Sequence, residues 1–172
     1  QQGNKGVQVN PYANGNAWFV TKLRTVATAD EEMKALDSLQ TKDEAVVDIS
    51  TYDLKLNFNT KRDSLATIQL VENEITRLKY QSSTSMEEFA VFSEIYYKDG
   101  WNAYIDGELA PHYRVNYVLR GLLVPAGKHT IEFKFEPTVI SNGNKITLTS
   151  YFFLLIIPLG WYYYKKKGEK LA

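Results

Sequence analysis

The chain has 172 residues, 44% of them hydrophobic and 23% charged, which places it with globular rather than disordered proteins. Its 20 basic and 20 acidic side chains cancel, so no overall field favours nucleic acid. Cysteine is absent, which excludes disulfide staples and cysteine-based zinc sites.

The neutrality conceals an asymmetry. Lys165, Lys166, Lys167 and Lys170 against Glu169 leave 16 basic and 19 acidic groups in residues 1–145, so the main body is acidic and the tail basic. The chain opens on Gln1 without an apolar leader and reads as a piece of a longer one. Residues 1–16, rich in Gly, Asn and Gln, read as a linker. Residues 17–60 form an α/β lead-in. Its first part, 17–26, alternates as a strand anchored by Trp18, Val20 and Leu23. A short helix follows, with Thr28 and Glu31 as a capping box and Asp30, Glu31 and Glu32 suited to its positive end. Met33, Leu36 and Leu39 recur at helical spacing and should form its packing stripe.

From residue 61 to 145 the period becomes two. One run places Leu65, Thr67 and Gln69 on one face and Ala66, Ile68 and Leu70 on the other. The next buries Leu78 and Tyr80 and exposes Arg77 and Lys79. Phe89 to Phe92 is apolar on both faces, as in a strand between two layers. Further strands are expected at 101–105, at 114–119 ("RVNYVL") and at 129–137, where Ile131, Phe133 and Phe135 face inward. Turns fall at "KDG" (98–100), "DG" (106–107) and "PAGK" (125–128); Asp-Gly supplies the positive φ that a tight hairpin needs. The pattern predicts a mainly β protein, an antiparallel β-sandwich of jelly-roll or immunoglobulin-like type, with one short amino-terminal helix.

Residues 147–164 carry no charge and, as a helix at about 1.5 Å per residue, would reach roughly 27 Å, close to the hydrocarbon thickness of a membrane. Phe152–Leu159 is apolar on every helical face, and Trp161 with Tyr162, Tyr163 and Tyr164 forms an aromatic belt before the lysines. Pro158 and Gly160 argue against a soluble core element. These features predict a transmembrane helix over 146–164 and a cytoplasmic basic tail over 165–172, with residues 1–145 outside a bacterial inner membrane.

The densest polar and aromatic stretch is 93–129. Tyr97, Asp99, Trp101, His112, Arg114, Asn116 and Arg120 could form a sugar-binding face, with rings for stacking and polar groups for hydroxyls. The competing reading is structural: Asp99 and Asp106 precede glycines as turn residues, and Arg120 could pair with Glu94 or Glu132. His112 and His129 lie in or beside turns without metal-site spacing. No nucleophile elbow, phosphate-binding loop or H-E-x-x-H occurs, so no catalytic residue, metal or cofactor is assigned.

Two stretches carry a resemblance: Tyr-x-x-Gly-Trp-x-Ala-x-x-Asp-Gly from Tyr97 to Gly107, and Arg-Gly-x-x-Val-Pro-Ala-Gly-x-His from Arg120 to His129. With "NGNAWFVTKLRTVATADEEMKALDSL" before them and a basic-ended apolar helix after, the chain resembles the carboxyl-terminal region of bacterial YfhO-type membrane proteins, in wording closest to the Bacteroides-type forms. The resemblance implies a polytopic protein similar to glycosyltransferases that draw sugars from polyprenyl-phosphate carriers to build envelope polymers such as lipoteichoic acid. The catalytic acids of such enzymes lie in an early extracytoplasmic loop that this chain does not contain, so no catalytic role transfers to any residue here. The implied partners are the protein's own upstream membrane domain, the membrane, and an envelope polysaccharide or lipid-linked sugar; the alternative is a structural or protein-interaction module anchored to the membrane.

Overall fold

A computed structural model describes residues 10–52 and 63–169. Most of the linker (1–9), residues 53–62 of the lead-in and its junction, and the last three residues of the basic tail lie outside the described residues. The chain divides into two compact units, 1–135 and 136–172.

The first unit contains β1 (Ala17–Val20), β2 (Lys22–Val26), α1 (Ala29–Ala35), β3 (Glu44–Asp48), β4 (Thr67–Glu74), β5 (Arg77–Thr84), β6 (Glu88–Ile95), β7 (Trp101–Ile105), β8 (Glu108–Ala110), β9 (His112–Val115), β10 (Leu119–Val124) and β11 (Gly127–Phe135). Two sheets are antiparallel, in the orders β1-β6-β10-β9 and β4-β5-β11-β7-β8, while β2 and β3 form a parallel pair. The protein is mainly β with antiparallel sheets, as the period-two runs predict.

Both antiparallel sheets contribute to one core. Ala90 and Phe92 of β6 and Leu122 and Val124 of β10 cluster with Leu78 and Tyr80 of β5 and Ile131 and Phe133 of β11. Phe92 packs edge-on against Tyr80 and Phe133, both at 4.9 Å between ring centres, each pair adding about 0.5–1.5 kcal/mol beyond its buried area. The other face of β6 carries Phe89 and Val91, which pack with Val20, Ala45, Val47 and Val115. Strand β6 is thus covered on both sides, which is why its sequence does not alternate.

Three expectations change here. The strand predicted over 17–26 is two strands in two sheets. The backbone N–H groups of Thr21 and Lys22 both donate to the Asp43 carbonyl, at 2.9 and 3.0 Å, and this bend sends β2 alongside β3. Helix α1 keeps its Thr28 cap, whose side chain accepts the Glu31 N–H, but Met33 is exposed while Glu32 and Ala35 are buried. The stripe differs from the apolar one because Glu32 finds charged and polar partners inside. Finally, "RVNYVL" is a hairpin rather than a strand: β9 ends at Val115, and Asn116 and Tyr117 turn at φ 48° and 70° before β10 begins.

The second unit is helix α2 (Thr138–Glu169), which includes Pro158. The helix predicted over 146–164 is present within it, but among the described residues no helix is long and apolar enough to cross a membrane. The strongly apolar block is only Phe152–Leu159; Thr147, Thr149, Ser150 and Tyr151 before it and Gly160, Trp161 and Tyr164 after it dilute the average. A stretch can lack charge and still be weakly apolar, since the hydroxyls of Ser, Thr and Tyr oppose transfer into hydrocarbon. The transmembrane helix expected over 146–164 is therefore corrected to a longer helix with a short apolar block.

Candidate functional site

The seven residues expected to share a sugar-binding face fall into three groups. Tyr97 and Asp99, in the turn between β6 and β7, are exposed, Tyr97 by 52%. The turn is tight: a Cβ on Gly100 would collide with the Phe135 ring and approach Tyr97 Cδ1 to 2.7 Å.

Trp101, His112 and Arg120 gather around Phe133. Arg120 alternates inward on β10 with Leu122 and Val124 and is only 2% exposed. Its Nε donates to the Ile95 carbonyl at 3.0 Å, and its guanidinium lies 4.4 Å from the Trp101 ring centre and 5.0 Å from that of Phe133. A desolvated cation over aromatic rings is worth about 2 kcal/mol or more. Burial lowers the Arg120 pKa, and the nearby Glu94 carboxylate opposes that shift. The pairing with Glu132 does not form, because Glu132 is held by Arg77 and Lys134. The His112 ring sits 5.2 Å from Tyr96 and 5.8 Å from Phe133. Burial, with Arg120 close by, pulls its pKa down to about 4, so the ring is neutral at physiological pH.

Arg114 and Asn116 face the lead-in. Glu32 of α1 is fully buried; its Oε1 accepts the Tyr117 N–H at 2.9 Å and its Oε2 accepts from Arg114 Nη2 at 3.1 Å. Arg114 also lies 3.8 Å from the Asp48 carboxylate and stacks over Tyr117. Burial raises the Glu32 pKa, against the Tyr117 N–H and Arg114, which lower it. Asn116 pairs with β3 like a strand residue: its N–H donates to the Val46 carbonyl at 2.8 Å, and its Oδ1 accepts the Val46 N–H at 2.9 Å. These bonds offset the cost of two successive left-handed residues, one of them a tyrosine.

A further constellation involves residues read as plain turn chemistry. Asp106 and Gly107 do form the tight β7–β8 hairpin, at φ 51° and 90°. The Asp106 carboxylate also accepts the Thr130 N–H at 2.8 Å and meets His129 Nδ1 at 2.6 Å. His129 Nε2 lies 3.1 Å from the Ala126 carbonyl. Both ring nitrogens therefore face acceptors, and the His129 pKa is raised, first by the Asp106 hydrogen bond. Among the described residues, no group of three His, Asp or Glu side chains is placed to hold a metal ion.

The two stretches that carry the resemblance thus meet in space, Asp106 against His129 and Trp101 against Arg120. A family model described as bacterial membrane protein YfhO matches residues 32–147. The chain belongs to the YfhO family. No curated protein and no solved structure matches it. The YfhO match begins at Glu32, the buried acid of α1, spans β3 to β11 and enters α2. In this YfhO chain, sequence reasoning missed Glu32, because an acid in a first helical turn reads as solvated, and Asp48, because the short strand it closes shows no alternation.

Proposed function

We propose that this YfhO-family chain supplies a non-catalytic, extracytoplasmic β domain to a membrane glycosyltransferase-like protein that acts on cell-envelope glycans with a lipid-linked sugar donor. In this reading the two antiparallel sheets form a β-sandwich, residues 1–145 lie outside the bacterial inner membrane, and the domain positions acceptor glycan or covers the active site of the upstream membrane domain. The exposed apolar block Phe152–Leu159 of α2 then packs against that membrane domain. The observation that carries the reading is the family match across 32–147, together with the use of the ionisable side chains in the two motif stretches. Arg120 is sequestered under Trp101, and Asp106 and His129 hold each other, so these groups serve the fold.

Calorimetric titration of the 172-residue chain with purified envelope polysaccharides tests recognition. Saturable heat with at least one polymer supports it; none with any polymer leaves only the covering role. The second reading, a structural or protein-interaction module, is favoured by the burial of Arg120, Asn116 and Glu32. Crosslinking to a partner protein in intact cells, with no response to glycan, would select it.

A further inference from the structure

The outer face of the five-stranded sheet carries a cleft that none of the groups above occupies fully. Strand alternation turns Ile68, Leu70, Tyr80, Ile131 and Phe133 toward the core and so turns Thr67, Gln69, Gln81, Ser83, Lys128 and Thr130 outward. The ladder arranges these six in two rows: Thr67 opposite Ser83 opposite Lys128, and Gln69 opposite Gln81 opposite Thr130. Neighbouring strands are about 4.8 Å apart, so each row is a rank of polar groups at close spacing. The cleft they line has a volume of about 400 Å³. Among the described residues, none of these six side chains has a hydrogen-bond or ion-pair partner within the protein.

The chemistry of the lining is specific. Each glutamine amide offers two donors and an acceptor, and each hydroxyl offers both functions. A sugar hydroxyl, which also donates and accepts, matches that pattern. No phenylalanine, tyrosine or tryptophan ring and no carboxylate lines the cleft. Lys128 adds a positive charge, and His129 lies at the same end with its ring nitrogens turned to Asp106 and Ala126. The lining is thus cationic within an acidic body, which selects for a ligand that carries negative charge.

We propose that this cleft binds an acidic oligosaccharide, its anionic substituent on Lys128 and its hydroxyls on Gln69, Gln81, Thr67, Ser83 and Thr130. The inference rests on the glycan reading above and moves recognition from the β7–β10 residues to the β4–β5–β11 face. Hydrogen bonds replace ring stacking here, so the charge supplies much of the selectivity. The test is a nuclear magnetic resonance titration of the 172-residue chain with a galacturonic acid tetramer and, in parallel, maltotetraose. The side-chain amide signals of Gln69 and Gln81 should shift saturably with the acidic tetramer and respond about tenfold more weakly to the neutral one, as expected for one charged hydrogen bond. Lys128→Gln should weaken the acidic ligand by about the same factor, and Tyr97→Ala should leave it unchanged. If the acidic tetramer binds but shifts neither glutamine, or binds as well to Lys128→Gln, the cleft assignment is overturned while the glycan reading stands. If calorimetry detects no binding of any envelope polysaccharide, both fall together.

Discussion

Replacing Gly121 with alanine probes the packing between the two layers that meet on β6. Gly121 sits in the middle of β10, opposite Val91 on one side and Tyr113 on the other. A Cβ there would lie 2.6 Å from Phe89 Cζ and 2.8 Å from Val115 Cγ1, whereas carbon atoms pack best about 3.5–4.0 Å apart. Phe89 and Val115 are fully buried, so neither has free space to retreat into. Overpacking of this kind costs about 1–3 kcal/mol. Loss of glycine's freedom in the unfolded chain returns roughly 0.4–1 kcal/mol. The net cost is then about 1–2 kcal/mol, and at about 2–4 °C per kcal/mol the Tm should fall by roughly 2–8 °C. Thermal and urea unfolding followed by circular dichroism would measure it. Gly143→Ala is the control: nothing lies within 4 Å of its added Cβ, and alanine gains about 0.8–1 kcal/mol of helix propensity there. A Gly121→Ala protein as stable as the parent would refute the packing argument.

Other expectations follow from the same geometry. Arg114→Ala strands Glu32 in the interior and should cost about 3 kcal/mol; Glu32→Gln in that background should recover part of the loss in urea titrations, and no recovery would mean the two do not act as a pair. Stability should peak in mildly acidic solution because two histidines pull in opposite directions. His129 has a raised pKa, so its contribution is complete below about pH 6.5 and is lost as the pH climbs through the higher folded value. His112 is depressed to about 4, so its burial costs stability as the pH falls from the unfolded value toward 4. Urea midpoints across pH 4–8 should therefore fall on both sides; His129→Gln should flatten the alkaline limb alone. Thr28→Ala removes the cap of α1 and should cost about 1 kcal/mol, read as faster amide exchange at Glu31.

Strands β5, β6 and β11 and the Asp-Gly hairpin were legible because each depends on neighbours in sequence: alternation, a doubly apolar run, or a turn residue with positive φ. Strand β3 was not, since Ala45–Val47 is a short apolar run without alternation and its parallel partner β2 is not marked by any turn. Glu32 and Arg114 are 82 residues apart, and nothing local says that an acid in a first helical turn will be the buried one. The Asn116–Tyr117 turn lacks glycine and holds its conformation through Val46 and Glu32, both supplied by the lead-in. For the expected sugar face, residue types were right for binding but strand parity and reach were not visible, so Arg120 and His112 went inward while Tyr97 and Asp99 stayed at the surface. In α2 the sequence located the helix but overstated its apolar length.

In the proposed reading, the Tyr97–Gly107 and Arg120–His129 stretches hold the sheets together, and recognition falls to surface side chains elsewhere. The most direct test of that reading is the Arg120 Nε–H resonance of the full chain, recorded in water with and without saturating envelope polysaccharide. The expected signal exchanges slowly with solvent, because the Nε–H is bonded to the Ile95 carbonyl, and stays in place when glycan is added. Rapid exchange, or a saturable shift of that signal with glycan, would contradict it.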